Sequence, residues 1–97
     1  IANESIKFYT EKNLKNNISF LKNKSVVIKQ NFFSNSEEVV FRSITKIIQF
    51  VGKRHYPARG KKVEKVINML NSKFPFKITL GGCIIKKFSK TIIITKE

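Results

Sequence analysis

The sequence predicts an α+β fold: a small domain of amphipathic helices, two of them paired as a helical hairpin, packed on a short antiparallel β-hairpin or sheet. Three observations carry this. Val40, Ile44, Ile47, Ile48 and Val51 recur at i, i+4, i+7, i+8 and i+11, which is one face of a helix. Val63, Val66, Ile67 and Leu70 mark a second helical face a short link later. Cys83–Phe88 and Thr91–Thr95 are β-rich runs joined by Ser89 and Lys90, the spacing of an antiparallel hairpin. The Ile-rich strands need cover on at least one face, and the two helices can supply it, which makes the architecture α+β. At 97 residues and 41% apolar content, one hydrophobic core is the expectation, without room for a deep, dry active site beside it.

Taken in order, residues 1–16 (IANESIKFYTEKNLKN) read as a helix or the end of one, with Ile6, Phe8 and Tyr9 as an imperfect apolar stripe and Asn16-Asn17 as the break. The chain opens on Ile1 in what reads as mid-helix, so a fragment of a longer polypeptide is expected. Ile18–Leu21 and Val26–Ile28 predict a short hairpin or a single strand. Ser34 with Glu37, or Asn35 with Glu38, stands at capping-box spacing before the helix of 37–51, and the glutamates suit the positive end of its dipole. Gly52 reads as its stop. Pro57 then forbids helix and biases Tyr56 to an extended conformation. The second helix spans about Ala58–Ser72, and Ile78–Leu80 is a short strand ended by Gly81-Gly82. That glycine pair reads first as a turn or bulge and second as an anion-binding nest.

The charge is lopsided, with 20 Lys and Arg against 6 acids and a formal net charge of +14. All six acids are glutamate, which removes the aspartates that hard-metal sites and catalytic triads most often use. So strong an excess implies an anionic partner, nucleic acid first, although many lysines in a Lys/Ile/Asn-rich chain simply decorate solvated surface. Cys83 is the sole thiol and His55 the sole imidazole. A lone Cys in an Ile-rich strand is expected to be buried and inert, and His55 has no carboxylate near it in sequence to orient it as a base. One Cys, one His and scattered glutamates make no metal-ligand set, and no phosphate-binding loop motif is present. A single Cys also fits a reducing compartment, so a cytoplasmic location is expected, and no apolar run approaches the length of a membrane span.

The candidate site is a basic cluster. Lys53, Arg54, Arg59, Lys61, Lys62 and Lys65 fall within thirteen residues, with His55 and Tyr56 among them as rings that could stack on a base or ribose. Lys86, Lys87 and Lys90 form a second patch on the terminal hairpin, and the two patches merge into one strip if the hairpin packs beside the helices. The three arginines are the sharper indicators, because the planar guanidinium fork matches phosphate, although Arg42 has Glu38 at i−4 as an alternative partner.

The order VVFRSITKIIQFVG, YPARGKKVEKVINML and ITLGGCII with a closing hairpin resembles the central C-terminal domain of bacterial tRNA(Ile)-lysidine synthetases. The likeness covers nearly the whole chain, with residues 1–16 resembling the linker from an upstream catalytic domain and 17–97 forming the domain proper. The resemblance implies a parent ATP-dependent ligase that adenylates the wobble cytidine of an isoleucine tRNA and attaches lysine. Its ATP and magnesium sites belong to a catalytic domain with a Ser-Gly-Gly-x-Asp-Ser loop that no residue here matches, so no cofactor site carries over. What carries over is a role in holding tRNA: Arg42 in FRSI, Tyr56, Pro57 and Arg59 in YPAR, and Leu80, Gly81 and Gly82 in TLGG match the family pattern. Of these, Arg42 and Arg59 are the phosphate contacts to expect. The implied partners are tRNA and the upstream domain of the same chain. The competing expectation is a structural spacer or homodimerisation element whose basic surface is incidental.

Overall fold

The computed structural model describes the backbone of residues 2–97 and side chains from Glu4 onward, so the expected helix start at Ile1 lies outside the described residues. Three helices pack on a five-stranded antiparallel sheet, the α+β architecture that the sequence predicts. The elements run α1 (Ala2–Asn16), β1 (Ile18–Phe20), β2 (Val26–Ile28), a short 3₁₀ turn (Gln30–Ser34), α2 (Glu37–Gly52), α3 (Gly60–Leu70), β3 (Phe76–Leu80), β4 (Cys83–Phe88) and β5 (Thr91–Lys96). The sheet order is β1-β2-β5-β4-β3. β5 is the central strand: it pairs with β4 through Ile85↔Ile94 and with β2 through Val26↔Ile94 and Ile28↔Ile92. Residues 18–28 therefore form a hairpin, the first of the two alternatives open in the sequence, and join the same sheet as the C-terminal strands.

One face of the sheet meets the helices. Val26, Ile28, Cys83, Ile85, Ile92 and Ile94 bury against Ile44, Ile47, Ile48 and Val51 of α2 and Val63, Val66 and Leu70 of α3. Each such side chain contributes roughly 1.5–3 kcal/mol on burial. Phe32, on the 3₁₀ turn, closes one end of this core with no exposed surface. The alternation of the strands leaves Val27, Ile84 and Ile93 half-buried on the other face, beside the exposed Lys77 and Lys86.

Three local expectations are corrected. The cap of α2 is Ser36, not Ser34 or Asn35: Ser36 is extended and its Oγ accepts from the Val39 N–H at 3.3 Å, while Asn35 Nδ2 donates to the Phe32 carbonyl. Gly52 is the last helical residue rather than the stop, and the left-handed residue that ends α2 is Lys53, at φ 53°. Finally, Phe8 and Tyr9 of α1 are exposed. The helix docks through Leu14, packed against the core, and through a polar seam with α2. Asn13 Nδ2 donates to Ser43 Oγ at 3.1 Å, Ser43 Oγ donates to the Val39 carbonyl, and Asn17 Nδ2 donates to Asn13 Oδ1. Among the described residues no buried side-chain polar atom lacks a partner, which is what makes so polar a seam tolerable. No helix among them is long and apolar enough to cross a membrane.

Candidate nucleic-acid interface

The C-terminus of α2, the 53–59 connector and the N-terminus of α3 enclose a groove of about 470 Å³ over the β3–β4 turn. Its charged walls are Lys53, Arg54, Arg59 and Lys62; its floor includes Ile48, Leu80 and Gly81, and Tyr56 stands at its edge. A second hollow of about 350 Å³, lined by Gly52, Lys53, Arg54, Gly82, Lys96 and Glu97, shares Lys53 and Arg54 with the first. The two make one electropositive strip running from Lys62 to Lys96, with Glu97 as its single carboxylate.

Close packing of glycines puts the strip there. Gly81 and Gly82 both have positive φ (61° and 81°) and form the two-residue β3–β4 turn, so the turn reading holds over the nest. That turn lies directly under the end of α2. A Cβ on Gly52 would lie 2.1 Å from the Gly81 carbonyl oxygen, and one on Gly82 would lie 2.9 Å from Arg54 Nε. The Arg54 guanidinium thus lies against the bare backbone of the turn, in space that any side chain at position 82 would take. The connector is tied back to α2 by the Arg54 N–H to the Gln49 carbonyl (3.2 Å) and by Gln49 Nε2 to the His55 carbonyl (3.0 Å).

The electrostatics are polarised. Glu37, Glu38 and Glu64 gather around a separate hollow near the start of α2, whereas Lys53 and Arg54 follow its end, roughly 24 Å away at 1.5 Å per residue. Cations at a helix C-terminus are favoured by its dipole. α3 opens with Lys61 and Lys62, no acid and no side-chain cap, so the positive end of its dipole adds to the field of the groove. The one ion pair among the described residues is Arg42–Glu38, so no cation of the groove is neutralised by a carboxylate.

Of the residues singled out in the sequence, the structure brings together Lys53, Arg54, Tyr56, Arg59 and Lys62. Arg42 does not join them: its Nε donates to Glu38 Oε1 at 2.8 Å, the i,i+4 pairing that the sequence offered as the alternative. Lys61 points about 100° around α3 from Lys62, and Lys65 sits a turn further along; neither lines the groove. The hairpin patch forms only in part: Lys87 and Lys90 line one hollow with Lys29, whereas Lys86 faces the opposite side of the sheet. Lys86 is on the open face opposite Lys77. Lys87 faces the helices, where its ammonium caps the end of α3 by donating to the Leu70 and Ser72 carbonyls. Lys96 is the contribution that sequence reasoning missed; only the β4–β5 register, Cys83↔Lys96, brings it beside the turn.

Cys83 and His55 form no catalytic pair. Cys83 is fully buried and its thiol donates to the Ile48 carbonyl at 3.1 Å, while His55 is exposed in the connector. Burial pushes the thiol up to about 11, against the lowering influence of the Gly52 backbone and the Arg54 charge. A thiol with that pKa carries almost no thiolate near neutrality. Among the described residues, no three His, Cys, Asp or Glu side chains are placed to hold a metal ion together. Compared with protein-family models, curated proteins and solved structures, the chain finds no match.

Proposed function

We propose that this chain is a non-catalytic tRNA-binding module, the C-terminal substrate-holding domain of a tRNA(Ile)-lysidine synthetase. The observation that supports it is the groove in which Lys53, Arg54, Arg59 and Lys62 converge without a carboxylate partner on a floor fixed by Gly52, Gly81 and Gly82. Phosphate contacts of this kind set register and orientation without reading sequence. In the parent enzyme the domain holds the body of the tRNA while the upstream domain adenylates the wobble cytidine and transfers lysine. Titration of the 97-residue chain with an unmodified tRNA transcript tests this. With about four phosphates neutralised, log Kobs should fall against log salt with a slope of about −3 to −4. Affinity that is absent at low salt, or that does not change with salt, removes the reading.

A spacer or dimerisation role is the second reading, favoured by an apolar cleft of about 400 Å³ between α1, β1 and α2. Leu14, Ile18 and Ile47 line it, and Phe20 and Phe50, each about 60% exposed, meet edge to face above it at 5.9 Å. The net charge of +14 opposes self-association through that face. Sedimentation should find a monomer at micromolar concentration. A tight dimer that no longer binds tRNA would move the assignment to this second role.

A further inference from the structure

Tyr56 is the most exposed of the large apolar and aromatic side chains described, at 84%, and no other ring packs against it. A tyrosine ring usually buries most of its surface, in a core or against a partner. The backbone that carries it is held in place. Pro57 restricts the Tyr56 backbone to extended conformations, and the two hydrogen bonds through Gln49 anchor the residues just before it to α2. The ring therefore stands at the edge of the groove beside Lys53, Arg54, Arg59 and Lys62, on backbone that is fixed before any ligand arrives. In a duplex, the faces of the bases are covered by their neighbours in the stack. Only unpaired bases, in loops, bulges or ends, offer a face to an aromatic side chain. A concave site edged by one free ring and walled by four cations thus matches a single nucleotide with its flanking phosphates better than it matches a convex duplex.

We infer that the groove binds an unpaired nucleotide, whose base stacks on Tyr56 while Lys53, Arg54, Arg59 and Lys62 take the adjacent phosphates. This rests on the RNA-binding reading above and goes further, because it assigns the groove to single-stranded rather than paired segments.

The chain has no tryptophan and two tyrosines, so Tyr9→Phe leaves Tyr56 as the only strong ultraviolet emitter. In that background three probes are titrated at low salt: hexauridylate, an abasic hexamer with the same phosphodiester backbone, and a blunt RNA duplex. Binding is followed independently by anisotropy of a dye on each probe. Hexauridylate should quench Tyr56 emission by more than half in a saturable manner, and the abasic hexamer and duplex should bind without that quenching. Tyr56→Ala should weaken hexauridylate about 5- to 150-fold, the range that loss of one base–aromatic stack implies, and leave the abasic hexamer unchanged. Tyr56→Phe should bind like the parent. If hexauridylate binds without quenching, or if Tyr56→Ala weakens all three probes alike, the nucleotide assignment is overturned while phosphate binding survives. If none of the probes binds, the RNA-binding reading fails with it.

Discussion

Gly52→Ala should destabilise the domain by about 3 kcal/mol, although alanine is the better helix former. In an ordinary helix interior this exchange stabilises by roughly 1 kcal/mol. Here the new Cβ would lie 2.1 Å from the Gly81 carbonyl oxygen, 3.2 Å from its carbon and 3.3 Å from Cys83 Sγ. The first two are backbone atoms of a tight turn and cannot rotate aside, so either α2 or the β3–β4 turn must move. An insertion of this kind costs about 4 kcal/mol, above the usual range of roughly 1–3 kcal/mol for overpacking because the obstructing atoms are backbone, and the gain in propensity only partly offsets it. For a domain of this size the melting temperature should fall by about 12–20 °C, and the urea midpoint should fall with an unchanged slope. Gly60→Ala provides the contrast. Its Cβ would meet the Phe41 ring at an ordinary 3.5 Å, so the same substitution at the start of α3 should be neutral or stabilising by up to about 1 kcal/mol. If the two substitutions behave alike, the close approach of α2 to the turn is wrong, and with it the framework that positions Arg54.

The second large effect concerns binding. Arg54→Glu combined with Arg59→Glu should weaken tRNA at least about 100-fold, because two charge-assisted contacts worth roughly 1.5–3 kcal/mol each are lost and replaced by repulsion. Lys61→Glu combined with Lys65→Glu makes the same change in net charge outside the groove and should cost less than about fivefold, because those side chains act only through a screened field. All four positions are exposed, so both doubles should melt close to the parent. A chain that held RNA by its +14 charge alone would lose affinity equally in both doubles, and the groove would then have no special standing.

Where local pattern determines structure, the sequence was legible. The spacing from Val40 to Val51 predicts the buried face of α2, and Cys83–Thr95 predicts the terminal hairpin, because amphipathic periods and two-residue links are properties of neighbours in the chain. The helix of α1 is legible in the sequence, but its docking face is not, for the opposite reason. Beside Leu14 its docking surface is polar, with Thr10 and Asn13 buried and Phe8 and Tyr9 exposed, and hydropathy carries no sign of a seam built from hydrogen bonds. Gly52 reads as a stop in the sequence, but its role is to admit the backbone of a turn 29 positions later, a constraint visible only in three dimensions. In the candidate site, Arg54, Arg59 and Lys62 were identified from charge, but charge could not separate them from Arg42, which Glu38 engages, or from Lys87, which the end of α3 engages. Lys96 stayed hidden because its place depends on strand register.

The central place of β5 sets the order in which this domain can be made. Val26 and Ile28 have their sheet partners at Ile94 and Ile92, so a chain emerging from a ribosome exposes the β2 edge through the synthesis of both major helices. Contacts so distant in sequence slow folding. Until the final strand arrives, the nascent N-terminal hairpin is an open β-edge that invites pairing with other chains, and Lys22 and Lys24 in its turn are the charges available to discourage it. Loss of only the last few residues would therefore remove the middle of the sheet and not its margin, leaving two hairpins with nothing to join them.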